Sequence, residues 1–302
     1  MSVVSIARVE NRYKTVLKSL ELVEEDVKKG LRGKKKVLIK PNFVSVTRQL
    51  AATHVDAVRA IIDFVQRFGS KEIIVAEAAS PFGGKTFTGY KNFGYLQLKD
   101  EYGIELIDLN EDDYEEIPIF DRKFNEIQIK ISKTLLESEY TISPAMLKAH
   151  DTVVATLALK NIAVGAIIWR DKLKVHQSYQ VINLNLYKIL KRVPIHLAVI
   201  DGWEGMEGQG PSDGTKIDMK VALAGIDAVA VDTIATMTMG IDPKEIGYLQ
   251  YCNGRIGEGD LSKIKVVGER IEDVKRKFKL HSEADFQKRW KIPEEKLAKL
   301  LD

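Results

Sequence analysis

Short β-branched runs alternate along the chain with segments of helical periodicity, and this alternation constrains the fold more than any other feature. Residues 37–39 and 73–76 are typical of buried strands, whereas residues 55–68 between them repeat apolar side chains at the helical period. Strands separated by helices build right-handed βαβ units, whose strands lie parallel in one sheet. The sequence therefore predicts an α/β fold with a mainly parallel sheet and helices on both faces.

Several local predictions accompany this fold. Residues 13–29 have the period of one helix, and Thr53 precedes the helix of residues 55–68 as an N-cap would. The acidic run 111–116 predicts a solvated loop, and residues 127–131 predict a strand at an edge of the sheet.

The length of 302 residues suits a single large α/β domain over residues 1–302. A boundary between two lobes near residue 195 stays open, because no shift in composition marks or excludes it. The chain begins without an apolar core behind basic residues, and no apolar run reaches the length of a membrane span. We therefore expect a cytoplasmic protein with no membrane partner, and a homo-oligomer remains open.

Charge and cysteine content exclude several classes of site. The 46 cationic and 43 anionic side chains nearly balance, so the overall field does not favour a nucleic-acid partner. The basic cluster at residues 28–36 could contact phosphates, but it also suits the C-terminal end of a helix. Cys252 is the single cysteine, so an iron–sulfur cluster held by this chain alone is not expected.

Polar side chains follow four of the predicted strands. Ligands of open parallel sheets bind beyond the carboxyl ends of the strands, where these side chains would meet. They are Lys40, Asn42, Glu77, Lys148, His150 and Asp201. Taken together they predict a site at one edge of the sheet, although each residue alone could serve only a turn or a cap.

Lys160 and Asn161 interrupt a segment, residues 153–167, that is otherwise apolar on nearly all sides and is typical of a buried helix. A buried lysine is costly unless it is paired. Lys160 would therefore meet a carboxylate of Glu77 or Asp201, face an anionic ligand, or extend its ammonium to water. His150 could transfer protons near neutral pH, or it could simply be a structural histidine.

Residues 202–214 contain five glycines and predict a flexible loop. The spacing matches neither a P-loop nor a dinucleotide fingerprint. Gly205, Gly208 and Gly210 are candidate ligand-binding positions, and the loop could be a phosphate cradle, a lid or a plain turn. A divalent metal on His150 and His176 is a further alternative that no tight ligand spacing supports.

Five runs resemble the domain-of-unknown-function family 362, found in archaea and bacteria, and they lie in collinear order over nearly the whole chain. They are VLIKPNF (37–43), KEIIVAEAAS (71–80), LKAHDTVVATLALKNIAVGA (147–166), LAVIDGWEGMEGQGPSDGT (197–215) and DAVAVDTIATMTMGIDP (227–243). The family is largely uncharacterised. Some relatives carry a ferredoxin-like domain with iron–sulfur clusters, which the single cysteine of this chain cannot reproduce.

The resemblance implies which positions carry the family's motifs. The KPN motif falls on Lys40 to Asn42, the KxH motif on Lys148 and His150, and the LKN motif on Lys160 and Asn161. A weaker similarity, in the region of Lys148, His150 and Lys160, is to the nickel-pincer lactate racemase superfamily, an α/β group that binds a lysine-linked pincer.

The residues favour an enzyme that acts on a small anionic substrate, such as a carboxylate or a phosphate ester. Lys148 and Lys160 would hold the anion, and His150 would move a proton. Asn42 and Asn161 would donate hydrogen bonds, and Glu77 or Asp201 would hold a lysine or a divalent cation. The alternative is a non-catalytic protein that binds an anionic metabolite or docks on a redox partner.

Overall fold

The structure, a computed structural model, describes residues 1–301. Its strands are β1 Ser2–Ala7, β2 Lys36–Ile39, β3 Glu72–Glu77, β4 Glu105–Asp108, β5 Tyr114–Phe120, β6 Glu126–Ser132, β7 Thr141–His150, β8 Val154–Thr156, β9 Leu197–Glu207, β10 Thr215–Gly225 and β11 Ile264–Gly268. Its α-helices are α1 Arg12–Glu21, α2 Glu24–Leu31, α3 Val55–Gln66, α4 Thr86–Asn92, α5 Gln97–Tyr102, α6 Lys133–Leu136, α7 Ala158–Gly165, α8 Asp171–Val175, α9 Tyr179–Leu190, α10 Ala228–Thr238, α11 Gly247–Cys252, α12 Ile271–Val274, α13 Ala284–Gln287 and α14 Glu294–Leu301.

The main sheet has the strand order β11-β1-β10-β9-β7-β2-β3-β4, with β8 paired to β7. The strands from β9 to β4 run parallel to one another. β10 lies antiparallel between β9 and β1, and β11 is parallel to β1. The predicted α/β fold with a mainly parallel sheet is confirmed, with β10 as an antiparallel strand inside it.

Alternate side chains of each strand enter two apolar cores on opposite faces of the sheet, as the two-residue period of a strand requires. On β2, for example, Val37 and Ile39 face the core that contains α1 and α3, and Leu38 faces the core that contains α7, α9 and α10. The helix that follows β2 therefore covers one face, and the helices that follow β7 cover the other.

β2 and β7 are neighbours in the sheet, so their connections leave in opposite directions. This reversal opens a crevice beyond their carboxyl ends, the position at which open α/β sheets bind ligands. Its floor is formed by the residues directly after β2 and by the last residues of β7.

Two predictions near the N-terminus are corrected by local geometry. Residues 13–29 form α1 and α2 rather than one helix, because Val23 leaves the helical region with φ −120° and ψ 20°. His54, not Thr53, caps α3, since its Nδ1 accepts from the Asp56 N–H at 3.2 Å. The Thr53 hydroxyl instead accepts from Asn42 N–H at 2.9 Å and donates to Pro144 O at 3.1 Å.

The segment 114–132 forms an antiparallel hairpin apart from the main sheet. β5 starts at Tyr114, inside the run predicted to be a loop, and β6 pairs with β5 rather than with an edge of the main sheet. Isoleucines at alternate positions of both strands enter the core, and the acidic residues of β5 face outwards. The isoleucines at alternate positions determine the strands, despite the acidic composition of residues 111–116.

The glycine-rich segment and residues 153–157 also differ from their predictions. β9 continues to Glu207 and pairs with β10, so only residues 208–214 form a turn. β7 runs to His150, and residues 154–156 form β8, so the buried helix begins only at Ala158. Lys148 and His150 therefore lie on a strand rather than in a loop, which fixes the backbone of both residues.

Candidate functional site

A cavity of about 260 Å³ lies at the crevice beyond β2 and β7. The polar side chains that line it come from separate stretches of the chain. They are Asn42, Glu77, Ser80, His150, Asp151, Thr156, Lys160, Asn161, Lys172 and His176, whereas Lys148 does not line the cavity. The cavity thus unites residues from after β2, from the end of β7, and from α7 and α8.

Lys40 lies fully buried beneath this cavity and is paired with Glu77. Lys40 Nζ lies 2.5 Å from Glu77 Oε2, and it also donates to Asn161 Oδ1 at 3.0 Å. Burial lowers the pKa of Lys40, while the Glu77 carboxylate opposes that shift. A Cβ at position 165 would lie 1.9 Å from Lys40 Cε, so Gly165 supplies the space that the lysine occupies.

Asn161 connects α7 to the end of β2 and to β7. Its Nδ2 donates to Lys40 O at 3.0 Å and to Ser143 Oγ at 3.1 Å, while its Oδ1 accepts from Lys40. Because both ends of the amide are engaged, the orientation of the side chain is determined by the hydrogen bonds. Asn161 therefore fixes the position of α7, and with it Lys160, against the sheet.

Lys148 is buried beside Asn42, whose Oδ1 lies 2.5 Å from Lys148 Nζ. Burial lowers the pKa of Lys148 to about 7, with a further contribution from the positive charge of Lys160. The Asn42 amide accepts a hydrogen bond but carries no charge, so it does not neutralise the ammonium group.

Lys160, His150 and Asp151 form a chain of contacts along one wall. Lys160 Nζ lies 2.9 Å from His150 Nε2, and His150 Nδ1 lies 2.9 Å from Asp151 Oδ1. Thr152 N–H lies 3.0 Å from the same Nδ1 and donates to it when this nitrogen is unprotonated. The Lys160 ammonium can donate to Nε2, and a proton on Nδ1 has the Asp151 carboxylate as its acceptor.

Burial is the largest single influence on the pKa values of Lys160, His150 and Asp151. It lowers the pKa of Lys160 to about 8. Burial and the nearby Lys160 charge lower the pKa of His150 to about 3, so the imidazole is neutral at physiological pH. Burial acts to raise the pKa of Asp151, but the hydrogen bond from His150 and the positive charges nearby, including that of Lys160, together outweigh it, and the pKa falls below its usual range.

Lys172 and His176 also line the cavity. Lys172 was not predicted as a site residue, and His176 was considered only as a metal ligand together with His150. Lys172 Nζ donates to the carbonyl oxygen of Ala78, and burial lowers the pKa of Lys172 to about 7. His176 Nδ1 lies 3.0 Å from Lys172 O, to which it donates, so its Nε2 carries the lone pair. Burial lowers the pKa of His176 to about 4.

Asp232 holds the N-terminus of α7 and was also missed. Its carboxylate oxygens accept from Ala158 N–H at 3.0 Å and from Leu159 N–H at 2.9 Å. Burial raises the pKa of Asp232 to about 7. Asp232 is a charged residue inside the otherwise apolar helix α10, just as Lys160 is inside α7. The sequence shows that such a residue is unusual, but it does not show that its carboxylate binds the N–H groups of α7.

Asp201 lies outside the lysine cluster. It pairs with Arg12, with Arg12 Nε 3.1 Å from Asp201 Oδ2, and burial raises its pKa. Lys160 therefore contacts neither of the carboxylates considered for it, since Glu77 is engaged by Lys40. Lys160 contacts His150 instead.

The three candidate glycines have different surroundings. Gly205 lies in β9, where a Cβ would meet Phe278, and Gly208 adopts φ +77° in the turn. Gly210 approaches the backbone of Ala149, since its Cβ would lie 2.0 Å from Ala149 O. The next residue, Pro211, lines the cavity, so the close approach of Gly210 brings the turn to the cavity wall.

Two further features mark the cavity. Val154, opposite His150 in the β7–β8 pair, has φ 67°, which is strained for a β-branched residue. Thr156 Oγ1 is buried beside the cavity and has no hydrogen-bond partner within residues 1–301. In the same part of the chain, no three histidine, cysteine, aspartate or glutamate side chains converge as a metal site would require, and His150 and His176 lack a third such ligand.

Residues 37–237 match the family described as a domain of unknown function, DUF362. The chain belongs to the DUF362 family. The match spans the strands and helices that line the cavity, from β2 to α10. The family predicted from the sequence motifs is therefore confirmed.

Two further proteins are similar to this DUF362 chain. A thylakoid-associated protein of Synechocystis sp. is 26% identical over 239 residues, which are 77% of this chain and 70% of that protein. The lactate racemase apoprotein from Thermoanaerobacterium thermosaccharolyticum aligns with a TM-score of 0.48 and 12% identity, over 75% of this chain. The chain spans 54% of the racemase chain. No helix within residues 1–301 combines the length and apolar character that crossing a membrane demands.

The buried lysines of this DUF362 protein predict a stability that rises with pH. Lys148 has its pKa lowered to about 7 from an ordinary value of 10.5, so between these values the unfolded chain binds more protons than the folded one. Lys148→Met is expected to reduce the slope of unfolding free energy against pH by about 1.4 kcal/mol per pH unit between pH 8 and 9. Urea denaturation at several pH values measures this slope.

Lys85→Met is the control for this measurement, because Lys85 is an exposed lysine outside the cavity. It should leave the slope unchanged. A slope in Lys148→Met equal to that of the parent protein would show that Lys148 does not titrate abnormally in the folded state.

Proposed function

We propose that this protein is an enzyme that acts on a small anionic substrate, a carboxylate or a phosphate ester, bound in the cavity beyond β2 and β7. Lys160 and Lys172 attract and orient the anion, and Asn42 donates a hydrogen bond through its Nδ2. Lys148 orients the Asn42 amide, and Asn161 holds α7 in place. His150 transfers a proton, with Asp151 orienting its ring. Glu77 holds Lys40 through Oε2 and accepts from Phe43 N–H through Oε1, so both of its oxygens are engaged within the protein.

One observation carries the proposal. Lys160 and Lys172 are buried in the wall of one cavity, Lys148 is buried beside Asn42 of the same wall, and among the described residues none of the three lysines forms a salt bridge. Buried charges are stable only when they are paired or lose their proton, and the lowered pKa values report the cost of leaving them unpaired. A bound anion supplies the missing partner.

The unpartnered hydroxyl of Thr156 gives independent support. A buried hydroxyl without a partner costs free energy, and such groups in native proteins usually face a ligand or an ordered water molecule. Together with the fixed cations of Lys160 and Lys172, it matches the arrangement that stabilises developing negative charge in enzymes.

A non-catalytic anion-binding protein is the second candidate. The pKa of His150 at about 3 favours it, because an imidazole with so low a pKa is a weak base near neutrality. A bound anion would raise this pKa by offsetting the charge of Lys160. The two candidates therefore differ in whether a proton is transferred once the anion is bound.

Turnover separates the two candidates. We expect the parent protein to convert one or more members of a mixture of small carboxylates and phosphate esters, followed by NMR spectroscopy. We expect His150→Ala to lose that conversion by at least about 100-fold, a typical contribution of a general acid or base, while its far-UV circular dichroism and its acetate binding are retained. Asp151→Asn should give an intermediate loss, because Asp151 only orients the ring.

Conversion by His150→Ala at the parental rate would remove His150 from the mechanism. Acetate binding by the parent without conversion of any compound would favour the binding protein. An unfolded His150→Ala variant would make the residue structural, and His150→Gln, which preserves a polar group of similar reach, would then serve to separate folding from chemistry.

A further inference from the structure

The cavity has an apolar side in addition to its cationic one. Phe82 and Leu173 line it together with Pro81 and Val164. Phe82 is 83% exposed and Leu173 is 43% exposed, although both are large apolar side chains. Single exposed apolar residues are common on proteins, but these two lie on different elements and share one cavity with buried lysines.

The backbone holds Phe82 in this place. The loop after β3 is fastened to residues 43–46, because Ser80 N–H donates to Phe43 O at 3.0 Å and Val46 N–H donates to Gly83 O at 3.2 Å. A Cβ on Gly83 would lie 2.3 Å from Val44 O, so this approach requires glycine at that position. Phe82 therefore lies at the tip of an anchored loop, and its exposure at the cavity is a property of the fold.

We infer that the anion bound at the lysines carries a short apolar tail, and that Phe82 and Leu173 cover this tail. This inference rests on the proposed function and names the substrate class more narrowly: an aliphatic or aryl carboxylate. The carboxylate lies towards Lys160 and Lys172, and the hydrocarbon lies towards Phe82. Burial of the tail removes apolar surface from water on both partners.

Two features favour a carboxylate over a phosphate. Phosphates in proteins are commonly bound by free backbone N–H groups at a helix N-terminus or a glycine-rich turn. At α7 the amides of Ala158 and Leu159 are already occupied by Asp232, and the first half of the glycine-rich segment is paired as strand β9. The remaining polar groups at the cavity are side chains, which suit a singly charged carboxylate.

The volume limits the size of the tail. Ligand pockets are typically about 300–1,000 Å³, and this cavity of about 260 Å³ lies just below that range. At about 30 Å³ for each water-sized group, it holds roughly nine such groups. A carboxylate with a branched alkyl chain or a single aromatic ring fits this size.

A homologous series of carboxylates tests the inference. Acetate, 3-methylbutanoate and 3-phenylpropanoate are titrated by calorimetry into the parent protein, into Phe82→Ala and into Phe286→Ala. Phe286 is the matched control, because it is 48% exposed but does not line the cavity. Each buried methylene raises affinity about fourfold, so 3-methylbutanoate should bind the parent about tenfold or more tightly than acetate.

Phe82→Ala should lose most of the advantage of the longer acids while binding acetate as the parent does, and Phe286→Ala should behave as the parent. Equal affinity for acetate and 3-methylbutanoate, or an advantage that Phe82→Ala retains in full, would overturn the apolar-tail inference and leave the proposed function standing. Tighter binding of inorganic phosphate than of every carboxylate would overturn the choice of substrate class. Failure of all these anions to bind would remove the proposed function as well.

Discussion

Glu77→Gln is expected to lower the free energy of unfolding by about 3–5 kcal/mol, the usual cost of removing one partner from a buried ion pair. Lys40 is fully buried and lies 2.5 Å from the Glu77 carboxylate. A glutamine at position 77 keeps the size of the side chain but leaves the ammonium group without a countercharge. Urea denaturation at pH 7 measures the effect.

The same strand provides a matched control. Glu72, at the other end of β3, pairs with Lys36 at 3.0 Å, but both side chains are more than half exposed. Exposed pairs contribute about 0–1 kcal/mol, so Glu72→Gln should change stability little. Equal effects of Glu72→Gln and Glu77→Gln would contradict the account of a buried pair. The double variant Glu77→Gln with Lys40→Met should recover part of the loss, because the uncompensated charge is then gone.

Lys160→Met should move stability and binding in opposite directions. Removing an ammonium group that is buried without a carboxylate partner is expected to stabilise the fold by about 1–4 kcal/mol at pH 7. The same change should weaken acetate binding by about 10- to 100-fold, since one charge-assisted hydrogen bond to the anion is lost. Thermal unfolding and calorimetric titration measure the two quantities on one sample.

This pair of results distinguishes a functional lysine from a structural one. If a lysine supports folding, replacing it lowers the stability of the protein. If a buried lysine serves binding instead, it lowers stability in the parent protein, and replacing it raises the stability. Lys85→Met, which alters an exposed lysine outside the cavity, should change neither quantity appreciably. Lower stability of Lys160→Met together with unchanged acetate binding would contradict the functional assignment.

Much of the fold and the location of the site follow from the sequence because they depend on local pattern. The alternation of strands and helices identified the parallel sheet, and the polar residues after the strands placed Lys40, Glu77, Lys148 and His150 at one edge. Lys160 stood out because a charge inside an apolar segment is rare. Each of these features is defined by residues that are close together in the sequence, so a single sequence is enough to recognise it.

The remaining features depend on contacts between distant segments. Asp201 follows a strand as Glu77 does, but its side chain meets Arg12 on α1, away from the cavity. Lys172 enters the site from α8, whose charged sequence resembles any surface helix. Asp151 lies beside His150 in the sequence, but only the backbone geometry at the end of β7 brings its carboxylate to Nδ1. Such pairings are set by tertiary packing, which periodicity does not encode.

The central claim is that the buried lysines around this cavity bind an anion, and a crystal soaked in bromide tests it most directly. Bromide is a single-atom anion that anomalous diffraction locates even while the substrate is unidentified. The account predicts an anomalous peak in the cavity within hydrogen-bonding distance of Lys160 Nζ and Lys172 Nζ, and no such peak in Lys160→Met crystals. Bromide bound only at exposed lysines, with the parent cavity free of anomalous density, would contradict it.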